Sequence, residues 1–454
     1  MQHKINIKTE ICWFRFIILL VLCFYFMNAT AQTVSDTVKK SQVWNLHFQN
    51  TVITQYHPSF KALYSGKNSL SSSQETPVSI TGTLFFGLKA GKRTSIYFNP
   101  EISGGSGFSK TTGVAGFPNG EVYRVSDPSP HIYIARLYLQ HVFPLTVKEE
   151  YITDGFNQLA QLRPVSYIAL TAGKYSIMDF FDINSYSHDP RTQFYNWALM
   201  GNGAWDYPAN TRGYTYGITI EYVKPDWALR FSSLMVPLMA NGSVMDWNLK
   251  RSRSEALEIE RKFNIGSRPG KIRIMGYFTQ ARMGNYEKAI EWGLDRGLAP
   301  EIDSVHVLGH TKIGIGINAE QSLGKYSGLF LRAGWNDGHN ETWVFTEIDR
   351  HLSCGVIFNG KSWHRGDDNI GVAQIINGLS GDHRNYLKAG GYGFIIGDGH
   401  LNYRPELVTE VYYSFRLSKY PVWITPDYQL IVNPAYNKDR GPVHAFGIRV
   451  HTEI

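Results

Sequence analysis

Residues 178–213 gather side chains suited to an uncharged, many-hydroxyl ring. Trp197 and Trp205 offer flat aromatic faces, while Asn196, Asn202, Asp206 and Arg212 offer amide, carboxylate and guanidinium groups. A sugar-like ring has one rather apolar face for the indoles and hydroxyls for the polar groups. Two uses fit these residues. They could touch a solute, or they could build a constriction whose tryptophans are only buried anchors. Asp189-Pro190 reads as a helix cap followed by proline at the first helical position, so a helix is expected from about 190 to 200, stopping at Gly201 and Gly203.

Catalytic chemistry finds little support. The fifteen histidines are scattered, with no H-E-x-x-H, and no G-x-S-x-G occurs. GGYGFIIGDG (390–399) lacks the spacing of a phosphate cradle and reads as a turn-rich external loop. Cys354 is the one cysteine beyond residue 31, too few for a thiolate metal site or an internal disulfide. No enzyme activity, cofactor or metal is expected.

The elements that must position these residues alternate with period two, which implies strands. In 272–279, Ile272, Ile274 and Phe278 oppose Arg273, Tyr277 and Thr279. In 312–320, Ile313, Ile315, Ile317 and Ala319 oppose Lys312, Asn318 and Glu320. In 132–140, Tyr133, Ala135, Leu137 and Leu139 oppose Arg136, Tyr138 and Gln140. In 214–222, Tyr214, Tyr216, Ile218, Ile220 and Tyr222 oppose Thr215, Gly217, Thr219 and Glu221. About sixteen such segments follow one another. Their approximate limits are 44–57, 77–88, 94–101, 131–143, 166–177, 214–223, 227–236, 254–263, 271–283, 310–322, 327–337, 341–359, 368–377, 403–417, 421–432 and 443–453.

Short and long connections rotate, as in a transmembrane antiparallel β-barrel with tight periplasmic turns and long external loops. Two break the rule: 144–165 is long where a tight turn belongs, and 336–341 is short where a long loop belongs. A soluble sandwich would also alternate. Three features favour the barrel. Apolar faces are tipped by Trp44, Tyr214, Tyr222 and Trp227, as at a lipid–water boundary. Polar faces carry charge in strand after strand. The chain closes on an alternating strand bearing Phe446, Ile448, Val450 and Ile454. The fold expected is therefore all-β, a barrel of about 16 strands with one long loop folding into the lumen.

By parity the lumen carries Arg136, Lys174, Arg230, Arg273, Arg332 and Arg416 with Glu221, Glu258, Glu260, Glu347, Glu406, Glu410 and Asp427. Rings of one sign select ions, whereas a mixed lining suits a neutral polar solute. Equally, these charges could pair with each other and keep the wall wet. The candidates for solute contact or constriction are Trp197, Trp205, Asn196, Asn202, Asp206, Arg212, Arg136, Arg332, Glu347 and Glu410.

Residues 1–31 read as a removable signal peptide. Lys4, Lys8 and Arg15 precede the apolar run 16–27, and Ala29-Thr30-Ala31 has the small–x–small form of a cleavage site. Residues 32–43 are then a short periplasmic lead and 44–454 one barrel domain. The formal charge of +7 falls to about +5 once 1–31 is removed, and the basic residues are dispersed, which argues against nucleic acid. The implied location is the outer membrane, with lipid, sugar solutes and the membrane-assembly machinery as partners. A homo-oligomer is compatible with the composition, because a lipid face and a subunit face look alike.

Several stretches resemble the carbohydrate-selective porins, the OprB-like family of Gram-negative outer membranes. They include HFQNTVITQYHPSFKALYSGKNSL (47–70), IARLYLQHVFPL (134–145), AGKYSIMDFFDINSYSHDPRTQFYNWALMGNGAWDYPANTRGYTYG (172–217), LFLRAGWNDGHNETWVFTEIDR (329–350) and TPDYQLIVNPAYNKDRGPVHAFGIRVH (425–451). The resemblance implies a 16-stranded barrel that passes mono- or oligosaccharides down their gradient without energy or cofactor. It implies a narrow point built by long loops and a wall bearing arginine and glutamate; Arg136, Arg332 and Glu410 lie in matched stretches. Ile454 stands where the family usually has a terminal Phe, and no added N-terminal module is present. The alternative is a general or closed outer-membrane barrel with a structural or adhesive role.

Overall fold

The computed structural model describes residues 41–123, 129–417 and 420–454; the signal-peptide reading lies outside them. Eighteen strands follow in chain order: β1 (Trp44–Tyr56), β2 (Val78–Gly91), β3 (Thr94–Gly105), β4 (His131–Pro144), β5 (Glu149–Ile152), β6 (Gln161–Pro164), β7 (Tyr167–Tyr175), β8 (Thr215–Val223), β9 (Trp227–Met235), β10 (Arg253–Ile265), β11 (Arg268–Gly284), β12 (His306–Gly324), β13 (Ser327–Asn336), β14 (Arg350–Asn359), β15 (Asn369–Gly378), β16 (Glu406–Arg416), β17 (Val422–Val432) and β18 (Val443–Glu453). Sixteen of them close into one antiparallel barrel, while β5 and β6 form a separate two-stranded hairpin. Every one of the sixteen expected segments overlaps a barrel strand.

Closure is made by β1 and β18, in register from Gln49↔Glu453 to Tyr56↔Phe446. Ile454 extends the seam: Phe48 N–H donates to its carbonyl at 2.8 Å, and its own N–H donates back at 2.9 Å. A closed sheet leaves no unpaired edge, which is what lets strands stand in hydrocarbon.

The pattern is inverted relative to a soluble protein. Outward Ile313 and Ile315 are about half exposed, whereas inward Lys312 is fully buried and Glu320 nearly so. Apolar area of this extent, repeated around the barrel, is stable against lipid rather than water. Trp44 and Trp227 mark strand ends on the short-turn side, with Tyr222 edge-on to Trp227 at 5.1 Å.

The apolar core lies among the long loops. Phe117, Phe181, Trp205, Trp343, Ile348 and Ile395 are all buried together within the barrel. Three short helices sit among these loops: α1 (Trp197–Met200), α2 (Tyr286–Leu294) and α3 (Gly381–Lys388). The segment 390–399 turns inward, with Ile395 and Ile396 buried.

Several expectations need correction. The strand expected at 341–359 begins only at Arg350. Residues 341–349 instead form an inward loop, which removes the anomaly of a short external connection. The long connection at 144–165 is accounted for by the β5–β6 hairpin. A register shift between Asn99 and Pro100 leaves Ala135 without a partner and reverses the parity of β4 above it. Ile132 and Ile134 are therefore exposed, and Tyr133 turns inward. Tyr214 precedes β8 and is buried inside, away from any lipid boundary. Lys174 is paired across from outward-facing Tyr216 and Leu137, so it faces out, not into the lumen.

Candidate functional site

The loop 176–214 crosses the lumen, because its hydrogen bonds reach strands around the barrel. On β13, fully buried Arg332 donates to the carbonyls of Leu199 (3.1 Å) and Ser187 (2.6 Å) and pairs with Asp182 at 3.0 Å. On β18, Arg449 donates to the carbonyls of Pro190 and Gln193, both at 2.7 Å. On β16, the Glu410 carboxylate accepts the N–H groups of Tyr195 (2.5 Å) and Asn196 (3.1 Å). On the other side of β1, Arg191 donates to Thr83 of β2 (2.9 Å) and Glu101 of β3 (3.0 Å), and Asp179 accepts two bonds from Arg136 of β4 (2.7 and 2.6 Å).

These contacts explain why the expected helix is short. Asp189 does cap a turn, accepting Arg191 N–H at 2.9 Å. Beyond it, Arg449 and Glu410 take the carbonyls and amides that a helix would use internally. Only Trp197–Met200 is α-helical, and its cap is Asn196, which accepts Ala198 N–H at 2.9 Å.

The packed loops fill the lumen against β10–β18 and leave one continuous cavity of about 690 Å³ beside β1–β4, β7 and β8. Of the ten candidate residues, Trp197, Arg136 and Arg212 line it. The other seven act in the scaffold. Asn196 also donates to Gly116 O (2.8 Å) and Gln429 Oε1 (3.0 Å). Asn202 donates to Ala333 O at 2.8 Å, and its side-chain oxygen lies where a Cβ on Gly334 would sit, 2.0 Å away, so only glycine admits it. Asp206 accepts the N–H groups of Trp343 (2.7 Å), Val344 (2.8 Å) and Phe345 (3.2 Å). Glu347 lies in the inward loop and accepts Ile395 N–H (2.8 Å) and Ile396 N–H (2.9 Å). Trp205 is buried between Phe181 and Tyr207. Arg332 and Glu410 anchor the loop as described.

One wall of the cavity is a linked network. Glu101 accepts from Arg191, Thr83 (2.5 Å), Tyr214 (3.0 Å) and, in a short bond, Tyr133. Arg191 also meets Glu121 at 2.8 Å. Burial pushes the Glu121 carboxyl above its ordinary value, and the Arg191 charge opposes that. Arg136 stacks over Tyr214 at 5.2 Å. The Arg212 guanidinium lies 4.2 Å from the Tyr133 ring centre and 5.4 Å from that of Tyr123, and it hydrogen-bonds to no described residue. Trp197 stacks on Phe345 at 5.4 Å. His188 also lines the cavity; burial, then the Arg332 charge, lowers its imidazole below the usual 6.5.

Sequence reasoning missed Arg191, Glu101, Tyr133 and Tyr214. Alternation of Tyr97, Asn99 and Glu101 could have exposed Glu101. Nothing local marks Arg191, and the bulge hides Tyr133. Elsewhere the wall charges satisfy one another: Arg230 meets Glu221 (3.1 Å) and Glu258 (2.9 Å), and Arg273 meets Glu260 (2.8 Å). Among the described residues one group has metal-ligand chemistry, Asp303, His306 and Glu341. Its His306 Nε2 lies 2.6 Å from Glu341 Oε1, and none of the three lines the cavity.

A closed barrel narrowed by its own loops, with a mixed-charge, tyrosine-lined cavity beside them, has the architecture of a porin. The carbohydrate-selective porin family, OprB, matches residues 67–454, and the chain belongs to it. It is therefore an outer-membrane carbohydrate porin. The high-pH structure of Pseudomonas putida OprB is similar, with 14% identity, 90% of this chain and 94% of that one covered, and a TM-score of 0.66. The outer-membrane channel DcaP of Acinetobacter baumannii gives 10%, 93%, 100% and 0.47 for the same measures. Pseudomonas aeruginosa OccK2 in complex with glucuronate gives 9%, 90%, 98% and 0.44. No curated protein matches the chain.

Proposed function

We propose that sugars cross along the off-centre cavity and are read at its narrow part by Arg212, Arg136 and Trp197, with Tyr133 and Tyr214 orienting the two guanidiniums. The observation that carries this reading is Arg212, held over tyrosine rings with the N–H donors of its guanidinium unspent on described residues. A charged, planar donor set in that position suits vicinal hydroxyls. Four arginines and five carboxylates line the cavity, a near balance that favours neutral solutes over ions of either sign. Passage needs no bond-making step, so the protein acts as a channel without catalysis. Residues 1–31 serve export, 32–43 are a periplasmic lead, and the assembly machinery inserts the barrel. A homo-oligomer is compatible with the outward faces.

The test is swelling of liposomes containing the folded protein. Monosaccharides should enter faster than amino acids of similar size. Equal rates for all small solutes would remove the sugar-reading role, and no swelling would point to a closed barrel with a structural or adhesive role.

A further inference from the structure

The other connections on the short-turn side run from two residues, as between β10 and β11 and between β12 and β13, to the nine between β14 and β15. Between β4 and β7 the chain instead spends 145–166, and its β5–β6 hairpin does not lie over its own strands. Its tip reaches β1, beyond β3 and β2 in the barrel order. Buried Asn45 donates its amide to Asp154 Oδ1 (2.6 Å), Gln158 O (3.0 Å) and Gly155 O (3.3 Å). His47 Nε2 lies 3.1 Å from the same Asp154 oxygen. Gln42 N–H donates to Ala160 O (2.8 Å), and Ala160 N–H returns a bond to the Gln42 side chain (2.7 Å). Leu159 is fully buried beneath, and the Phe156 ring lies 4.6 Å from Phe85 of β2.

This strap lines the cavity at the end away from Arg212. Phe156, Asn157, Gln158, Gln161 and Arg163 face the path there. Arg163 stacks on Tyr167 at 5.1 Å, and its Nε, like Asn157 Oδ1, is buried without a hydrogen-bond partner among the described residues. A mere connection would have no reason to carry so many tertiary ties across the mouth.

We propose that 145–166 is an exit-side size filter for the sugar, in series with the central narrowing, with Phe156, Gln158 and Arg163 as its specificity-determining residues. It rests on the off-centre path described above. The central network reads charge and hydroxyl pattern; the strap limits the bulk of the neutral solute that can leave.

Two variants test this. Asn45→Ala with His47→Ala removes the latch, and replacing 147–163 by a short Gly-Ser turn removes the strap. Neither touches Arg136, Arg191 or Arg212. Liposome swelling is compared for a monosaccharide, a disaccharide and a size-matched charged solute, with folding checked by heat-modifiable gel migration. The expected result is a severalfold rise in the disaccharide-to-monosaccharide rate ratio, with preference for neutral over charged solutes unchanged. An unchanged ratio in both folded variants overturns the filter. A parent protein with no sugar preference overturns the central reading instead, and the size ratio in the same curves still decides the filter.

Discussion

Arg212→Met is the most informative substitution at the narrowing. The guanidinium sits 4.2 Å from the Tyr133 ring centre with no hydrogen bond to a described residue, so removing it leaves no protein acceptor stranded. The stacking itself is worth about 0.5–1 kcal/mol, so the fold should tolerate the change. What is lost is a charge-assisted bond to a solute hydroxyl, about 1.5–3 kcal/mol. That corresponds to roughly 10- to 150-fold weaker sugar binding. The assay is monosaccharide block of ion current through single channels in a planar bilayer, read as the half-blocking concentration. Arg212→Lys keeps charge but loses the flat donor fork, so it should fall between parent and Met. Losing one of four arginines against five carboxylates should also move the reversal potential toward cation selectivity. An unchanged half-blocking concentration in Arg212→Met, at parent conductance, would refute the assignment.

Three further outcomes are expected. Trp197→Ala should alter sugar uptake because it lines the cavity, whereas Trp205→Phe should leave uptake unchanged because Trp205 is buried beside Phe181 and Tyr207 and does not line it; both are read by liposome swelling. Glu410→Ala strands two buried backbone N–H groups at about 1–3 kcal/mol each, so the loop should loosen and single-channel conductance should rise and fluctuate. Because His188 is held below the 6.5 of a free imidazole, the unfolded chain binds a proton first as pH falls. Stability is then full above pH 6.5 and declines below it until His188 itself protonates, and His188→Asn should flatten that decline in denaturation midpoints.

The strands were legible because alternation is a local property. Ile313, Ile315 and Ile317 against Lys312 and Glu320 declare two faces wherever the sheet goes. Even so, one unpaired residue, Ala135, reversed Tyr133, and no local pattern announces a bulge. The candidate site was legible by residue type but not by role. Trp205, Asn202 and Asp206 have sugar-binding chemistry, yet each spends it on the scaffold. The expected helix at 190–200 failed for a related reason: Arg449 and Glu410, far away in sequence, claim its backbone groups.

By itself the amino-acid order determined an inside-out sheet of sixteen strands and the border marked by Trp44, Tyr222 and Trp227. All of these follow from side-chain parity and turn chemistry over a few residues. Only the tertiary structure decided that the lumen is filled on one side, that Arg191, Glu101, Tyr133 and Tyr214 meet at the remaining gap, and that a strap crosses its far end. A void is bounded by residues more than a hundred positions apart. Which of them is left free to meet a solute depends on which others have already found partners.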